Sequence, residues 1–242
     1  MLITFSLSSF TLAGPELKTT VAAQKPKLPC PKLDLFKAIA IQNDKACLSE
    51  ALHYMDVNET NLIGDTPLHL AIRKKNKNAF FLLLKRGADL NRRNSQMLTP
   101  RELALSLGFR GLGRYLARIE LETERMVQAM EAGDLKATNA SLLRGASIGT
   151  TNNRLDTPLH RAAQSNLPEM ALLLLRYGAP ANARNYLGET PLHSAALRDF
   201  KETLKVLLEN GADPNLLNHR RETALDIATI QSDPEILALL KR

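Results

Sequence analysis

Apolar residues come in paired short blocks along most of this chain. Each pair has a thin block with one Leu and one or two Ala, then a richer block of large aliphatics. Leu68 and Ala71 precede Leu82-Leu83-Leu84. Leu159 and Ala162-Ala163 precede the run Leu172 to Leu175, and Leu192 and Ala195-Ala196 precede Val206-Leu207-Leu208. Gly, Asn and charged residues separate the pairs, so the pattern predicts two short helices per unit. The Ala residues keep the first helix thin, so that neighbouring units approach closely. The second helix is the apolar backing layer.

Two landmarks fix the period. Thr-Pro-Leu-His starts at Thr66, Thr157 and Thr190, with degenerate copies at Thr99 and Thr223. The intervals 66 to 99, 157 to 190 and 190 to 223 are all 33 residues. Gly-Ala-Asp or a variant starts at Gly87, Gly145, Gly178 and Gly211, each 21 residues after a start at 66, 124, 157 or 190. A fixed period of this length predicts a stacked solenoid. Thr offers its side-chain oxygen to orphan N–H groups at a helix start, and Pro at the next position needs no donor. The Gly residues end the second helix in the left-handed conformation.

With these motifs in phase, the chain resembles the ankyrin-repeat family over residues 33 to 242. The resemblance implies an all-α ankyrin-repeat solenoid of about seven units, each a helix–turn–helix with a β-turn finger. The first unit starts near Leu33, with Phe36, Ala38, Ile39 and Ala40 in register but no Thr-Pro, as suits a terminal cap. The third unit starts at Thr99, and the fourth only 25 residues later, near Glu124. About one finger is missing, and the helix-forming stretch Arg114 to Glu122 stands in its place. The reading is two lobes, residues 33–123 (repeats one to three) and 124–242 (repeats four to seven). The alternative is one continuous stack with a shortened unit.

Residues 1–32 do not fit the repeat. Met1 to Ala13 is apolar and Val21-Ala22-Ala23 resembles a cleavage site, but a basic leading region is missing. A disordered tail or a signal-like segment, then a Pro-rich linker, is expected. A cytoplasmic location is preferred, with a secreted or periplasmic one as the alternative. Cys30 and Cys47 read as two unrelated thiols. No apolar run is long enough to span a membrane.

The net charge of +7 is concentrated. Residues 66–123 hold twelve basic and four acidic groups, while 124–242 hold fourteen of each. Such a field steers acidic partners. Catalytic patterns are missing. His69, His160 and His193 recur at one point of the repeat, and the resemblance implies that they brace the fold by hydrogen bonds. The run Gly108-x-x-Gly111-x-Gly113 has the wrong order for a dinucleotide loop and reads as a loosened inter-helix turn. No active site, metal site, cofactor or small-molecule substrate is expected.

What varies between units is the finger. The resemblance implies that partners meet the finger tips and the exposed side of the first helix. The tips predicted to bind include Arg92, Arg93 and Asn94, then Arg154, Arg184 and Tyr186, and finally His219, Arg220 and Arg221. The first helices add Arg73, Lys74, Arg161, Gln164 and Arg198. Arg suits bidentate capture of carboxylate, and Tyr suits interface anchoring. The leading expectation is a monomeric, non-enzymatic module that recognises an acidic protein surface. One alternative is an anionic polymer or membrane headgroup held by the basic second and third repeats. Another is a non-catalytic targeting subunit of an enzyme. Aromatic stacking platforms for single-stranded nucleic acid are missing.

Overall fold

Each Thr-Pro step in the sequence opens a helix in the computed structural model of the chain. The structure describes residues 35–40, 48, 49, 52, 56–228 and 234–241. The expectations for residues 1–32, and for Cys30 and Cys47, lie outside them. No strand is present among the described residues. The helices with defined bounds are α1 (Leu35–Ala40), α2 (Pro67–Arg73), α3 (Lys77–Lys85), α4 (Pro100–Ser106), α5 (Arg110–Glu131) and α6 (Leu135–Leu143). They continue with α7 (Pro158–Gln164), α8 (Pro168–Arg176), α9 (Pro191–Ala196), α10 (Lys201–Glu209), α11 (Ala224–Ala228) and α12 (Pro234–Leu240).

The caps follow the signature. Thr66, Thr99 and Thr157 accept from the backbone N–H three residues on, with Pro at the first helical position. Where the signature is degenerate, another acceptor replaces the His. The Thr99 N–H donates to Glu102 Oε2 at 2.8 Å, and the Thr223 N–H to Asp226 Oδ2 at 2.8 Å. The exits are equally uniform. Gly87 has φ +79°, its N–H bonds the Leu84 carbonyl, and the Ala88 N–H reaches back to Leu83. The same pair of bonds recurs at Gly145, Gly178 and Gly211.

Successive first helices stack on one another, α2 on α4 and α7 on α9 on α11, with the second helices behind them. Leu68, Leu103, Leu159 and Leu192 are fully or almost fully buried. Burial of one such side chain stabilises by about 1.5–3 kcal/mol. The buried apolar residues form two clusters, Ile39 to Ile119 and Met126 to Leu240.

Between the clusters runs α5, a 22-residue helix. It is unbroken through 116–126, and it is at once the second helix of repeat three and the first of repeat four. Of the Gly-rich run read as a loosened turn, only Gly108 (φ +79°) sits in the turn, whereas Gly111 and Gly113 lie in the first turn of α5. Gly113 is close-packed there, because a Cβ on it would stand 2.4 Å from Leu105 Cδ2. Halfway along, the buried carboxylate of Glu122 accepts from Arg125 at 2.7 Å and from Arg144, at the C-terminal end of α6, at 2.6 Å.

The absent finger has a consequence for its neighbours. Elsewhere a finger bonds to the next one 29–33 residues away, as Asp213 does to Asn182 at 2.9 Å. The finger of repeat two instead meets that of repeat four. Asn91 Nδ2 donates to Thr150 Oγ1 at 2.9 Å, and Thr151 Oγ1 donates to the buried Asp89 carboxylate at 2.5 Å.

Candidate finger edge

Every finger turn is built on one Asn. Asn61, Asn94, Asn152, Asn185 and Asn218 each accept, through Oδ1, the backbone N–H groups two and four residues on, at 2.8–3.1 Å. The residue three on takes a positive φ: Gly64, Met97, Leu155, Gly188 and Arg221. The two residues between are the tip. Tips are tied to one another through the backbone. The Tyr186 N–H donates to the Arg154 carbonyl at 2.9 Å, and the His219 N–H to the Leu187 carbonyl at 2.9 Å. Fingers four, five and six therefore form one edge.

The histidines brace that edge from beneath. Thr66, Thr157 and Thr190 direct backbone N–H groups at Nδ1 of His69, His160 and His193 at 3.1–3.3 Å. The Nε2 atoms face the carbonyls of Leu98, Glu189 and Glu222 at 2.9–3.1 Å. An N–H can only donate and a carbonyl can only accept. The rings are therefore neutral, with the proton on Nε2. Burial holds all three below the usual histidine value. Both nitrogens are occupied, so none of these rings has a free ligand atom. Among the described residues no three His, Cys, Asp or Glu side chains are grouped to hold a metal.

The structure sorts the predicted binding residues into three groups. Asn94 is buried at 3 % exposure, and its Nδ2 donates to Asp65 Oδ1 at 2.8 Å. It is a turn clamp, not a contact residue. The recurrence of Asn every 33 residues was the sequence signal for this role.

Five arginines are engaged inside the chain. Arg73 pairs with the buried Asp65 at 2.7 Å and with Gln96 at 2.8 Å. Arg93 pairs with Glu102 at 2.9 Å, and Arg161 pairs with Glu131. Arg184 donates to the Leu217 carbonyl of the next finger at 2.7 Å. Arg92 stands 3.9 Å from Asp89.

The third group is exposed. The guanidinium groups of Arg154, Arg220 and Arg221 have no partner among the described residues, nor has that of Arg198. Tyr186 is 71 % exposed between them, with Leu187 beside it and His219 on the next tip. Lys74 and Arg198 lie in the turns after α2 and α9, past the helix ends remote from the fingers, so the edge does not include them. Gln164, at the end of α7, is half-buried.

Helix pairs that stack through small residues and project a clamped loop from each unit define a repeat solenoid with a presented edge. The chain belongs to the ankyrin-repeat proteins. A family model described as "Ankyrin repeats (3 copies)" matches residues 126–218, "Ankyrin repeat" matches 63–95, and "Ankyrin repeats (many copies)" matches 201–240. The chain is 34 % identical over 92 residues to ankyrin repeat domain-containing protein 37 of Xenopus tropicalis, covering 38 % of this chain and 56 % of the relative. It is 29 % identical over 142 residues to transient receptor potential cation channel subfamily A member 1 of Homo sapiens, covering 53 % of this chain and 12 % of that one. A putative ankyrin repeat protein of fowlpox virus is 26 % identical over 133 residues, covering 51 % and 94 %. The chain thus spans little of the channel and about half of the frog protein. Ankyrin repeats imply protein partners, and in that general sense the chain is a protein-interaction module. No helix among the described residues is long and apolar enough to cross a membrane.

Proposed function

We propose that the chain, as a monomer, binds an acidic segment of a partner protein along the edge of fingers four to six, without catalysing a reaction. One observation carries this reading. Once the internal ion pairs are set aside, the guanidinium groups of Arg154, Arg220 and Arg221 remain unpartnered on fingers joined backbone to backbone. Unpaired guanidinium groups are suited to carboxylates, and the exposed Tyr186 ring between them is an anchor of the kind that dominates interfaces. The edge belongs to the second of two lobes, 33–123 and 124–242, a division supported by the two apolar clusters.

The test is affinity capture from native lysate with the wild-type chain and with Arg154→Glu/Arg220→Glu/Arg221→Glu. Proteins with acidic segments should be captured by the wild type, lost with the variant, and released between about 0.05 and about 0.5 M salt. Equal capture by both proteins, indifferent to salt, would remove recognition from this edge.

A further inference from the structure

The excess charge of repeats two and three is not on the finger edge. All four carboxylates of residues 66–123 are held by arginines: Asp89 by Arg92, Glu102 by Arg93, Glu120 by Arg101, and Glu122 by Arg125 and Arg144. The uncompensated cations lie elsewhere, and some of them rim a groove. This groove, of about 510 Å³, opens between the helices of repeats two and three, on the side of the inter-helix turns. Its walls are apolar and aromatic, with Phe80, Phe81, Phe109 and Tyr115. The two charged residues that line it are Lys75 and Lys77, and no lining residue is acidic. The Lys75 ammonium sits 5.2 Å from the centre of the Phe109 ring, at the lip.

Phe81 is the informative residue. It is 54 % exposed, although it packs edge-on against Phe80 and Tyr115 at ring separations of 5.3 and 6.0 Å. Leaving a large aromatic in water at the mouth of an apolar groove forgoes stabilisation that a partner could recover. The groove also continues. A second hollow of about 240 Å³ shares Phe81 and Tyr115 and runs on to Ile148 and Tyr177, with Lys85 its charged residue. Together they form a trough with aromatic walls and lysines as its charged lining.

We infer that this trough docks a protein segment that inserts an aromatic or branched aliphatic side chain beside Phe81 and carries Asp or Glu against Lys75 and Lys77. Charge complementarity selects the acidic flanks, and the apolar walls select the anchor. A polyanion or lipid headgroup needs a row of cations and has no use for the rings. This surface is separate from the finger edge and does not depend on it.

The experiment offers a random dodecapeptide library, displayed on phage, to the full chain. Enriched peptides are synthesised and their affinity measured against wild type, Phe81→Ala, Lys75→Glu/Lys77→Glu, and the finger variant Arg154→Glu/Arg220→Glu/Arg221→Glu. All six substituted residues are exposed, and thermal melts check that each variant folds. Enriched peptides should combine a large apolar residue with Asp or Glu. They should bind the first two variants at least about tenfold more weakly and the finger variant unchanged. Enrichment of basic or neutral peptides, or of none sensitive to Phe81→Ala, overturns the inference. So does binding of heparin or phosphatidylserine vesicles that is lost with Lys75→Glu/Lys77→Glu and kept by Phe81→Ala, since that identifies a plain polyanion surface.

Discussion

A ring nitrogen that accepts from a backbone N–H has no room for a proton of its own. That is the position of Nδ1 in His69, His160 and His193, and burial opposes the charged form as well. The folded chain therefore resists protonation that the unfolded chain accepts near pH 6.5. Where the unfolded state binds more protons, stability falls as pH falls. The loss should begin near pH 6.5 and deepen downwards, and denaturant midpoints at pH 5 and 7 would show it. Asp89 opposes it, since burial raises its carboxyl and so favours the folded state as pH falls, but it is one group against three. Glu102, Glu122 and Asp226 are held low by hydrogen bonds, and add to the loss from the ordinary carboxylate range downwards. His160→Ala should cost about 3 kcal/mol at pH 7 and flatten the pH slope. A slope equal to the wild type's would show that the ring is not the group that titrates. The Asn clamps make a parallel case. Asn185→Ala strips two N–H groups of their acceptor and cuts the link to Asp156, so about 2 kcal/mol should be lost by urea titration. Arg154→Ala, on the exposed tip next in the stack, should cost under about 0.5 kcal/mol.

At the scale of elements, the finger contact across the junction rests on two glycines. A Cβ on Gly149 would stand 1.8 Å from the Gly87 carbonyl oxygen and 2.2 Å from its carbon. Both sides are backbone, so neither can give way. Gly149→Ala should therefore separate fingers two and four and break the Asn91–Thr150 and Asp89–Thr151 bonds. The expected cost is about 2–4 kcal/mol. Hydrogen exchange should quicken at 88–91 and 149–152 and stay slow in fingers five and six. Much of this level was legible in the sequence. Thr-Pro and Gly located the helix starts and stops, because capping is local chemistry carried by single residue types. The lack of Gly and Pro from Arg114 to Glu122 marked the fingerless stretch, although α5 extends beyond it at both ends. The finger contact was not legible. A repeat shows what recurs between neighbours, and this contact joins residues 59–62 apart, across the unit whose finger is missing. The ion pairs were hidden for the same reason. Arg73 and Arg161 look alike on the first helices, yet one finds a carboxylate eight residues away and the other thirty. Packing decides which arginines are spent inside the chain and which are offered outside.

Across the whole molecule, a solenoid couples only neighbours, and stability passes along it by contact between adjacent units. Among the described residues, this chain departs from that rule at α5. The two apolar clusters lie on either side of it, joined by the helix itself, by the finger contact beside it and by the hollow that both sides wall between Phe81 and Tyr177. A long helix with a polar exposed face is a weak transmitter alone, since it buries little that both clusters share. The finger contact should then decide whether the clusters unfold together. Leu207 is fully buried in the second cluster, and Leu207→Ala should remove about 3 kcal/mol there. With the junction intact, hydrogen exchange of α2 to α4 should quicken as well, because opening the second cluster withdraws finger four from finger two. In a Gly149→Ala background the same Leu207→Ala should leave α2 to α4 as protected as Gly149→Ala does alone. If Leu207→Ala leaves α2 to α4 unchanged in the otherwise native chain, the fingers carry no coupling and the two clusters are independent domains on one helix.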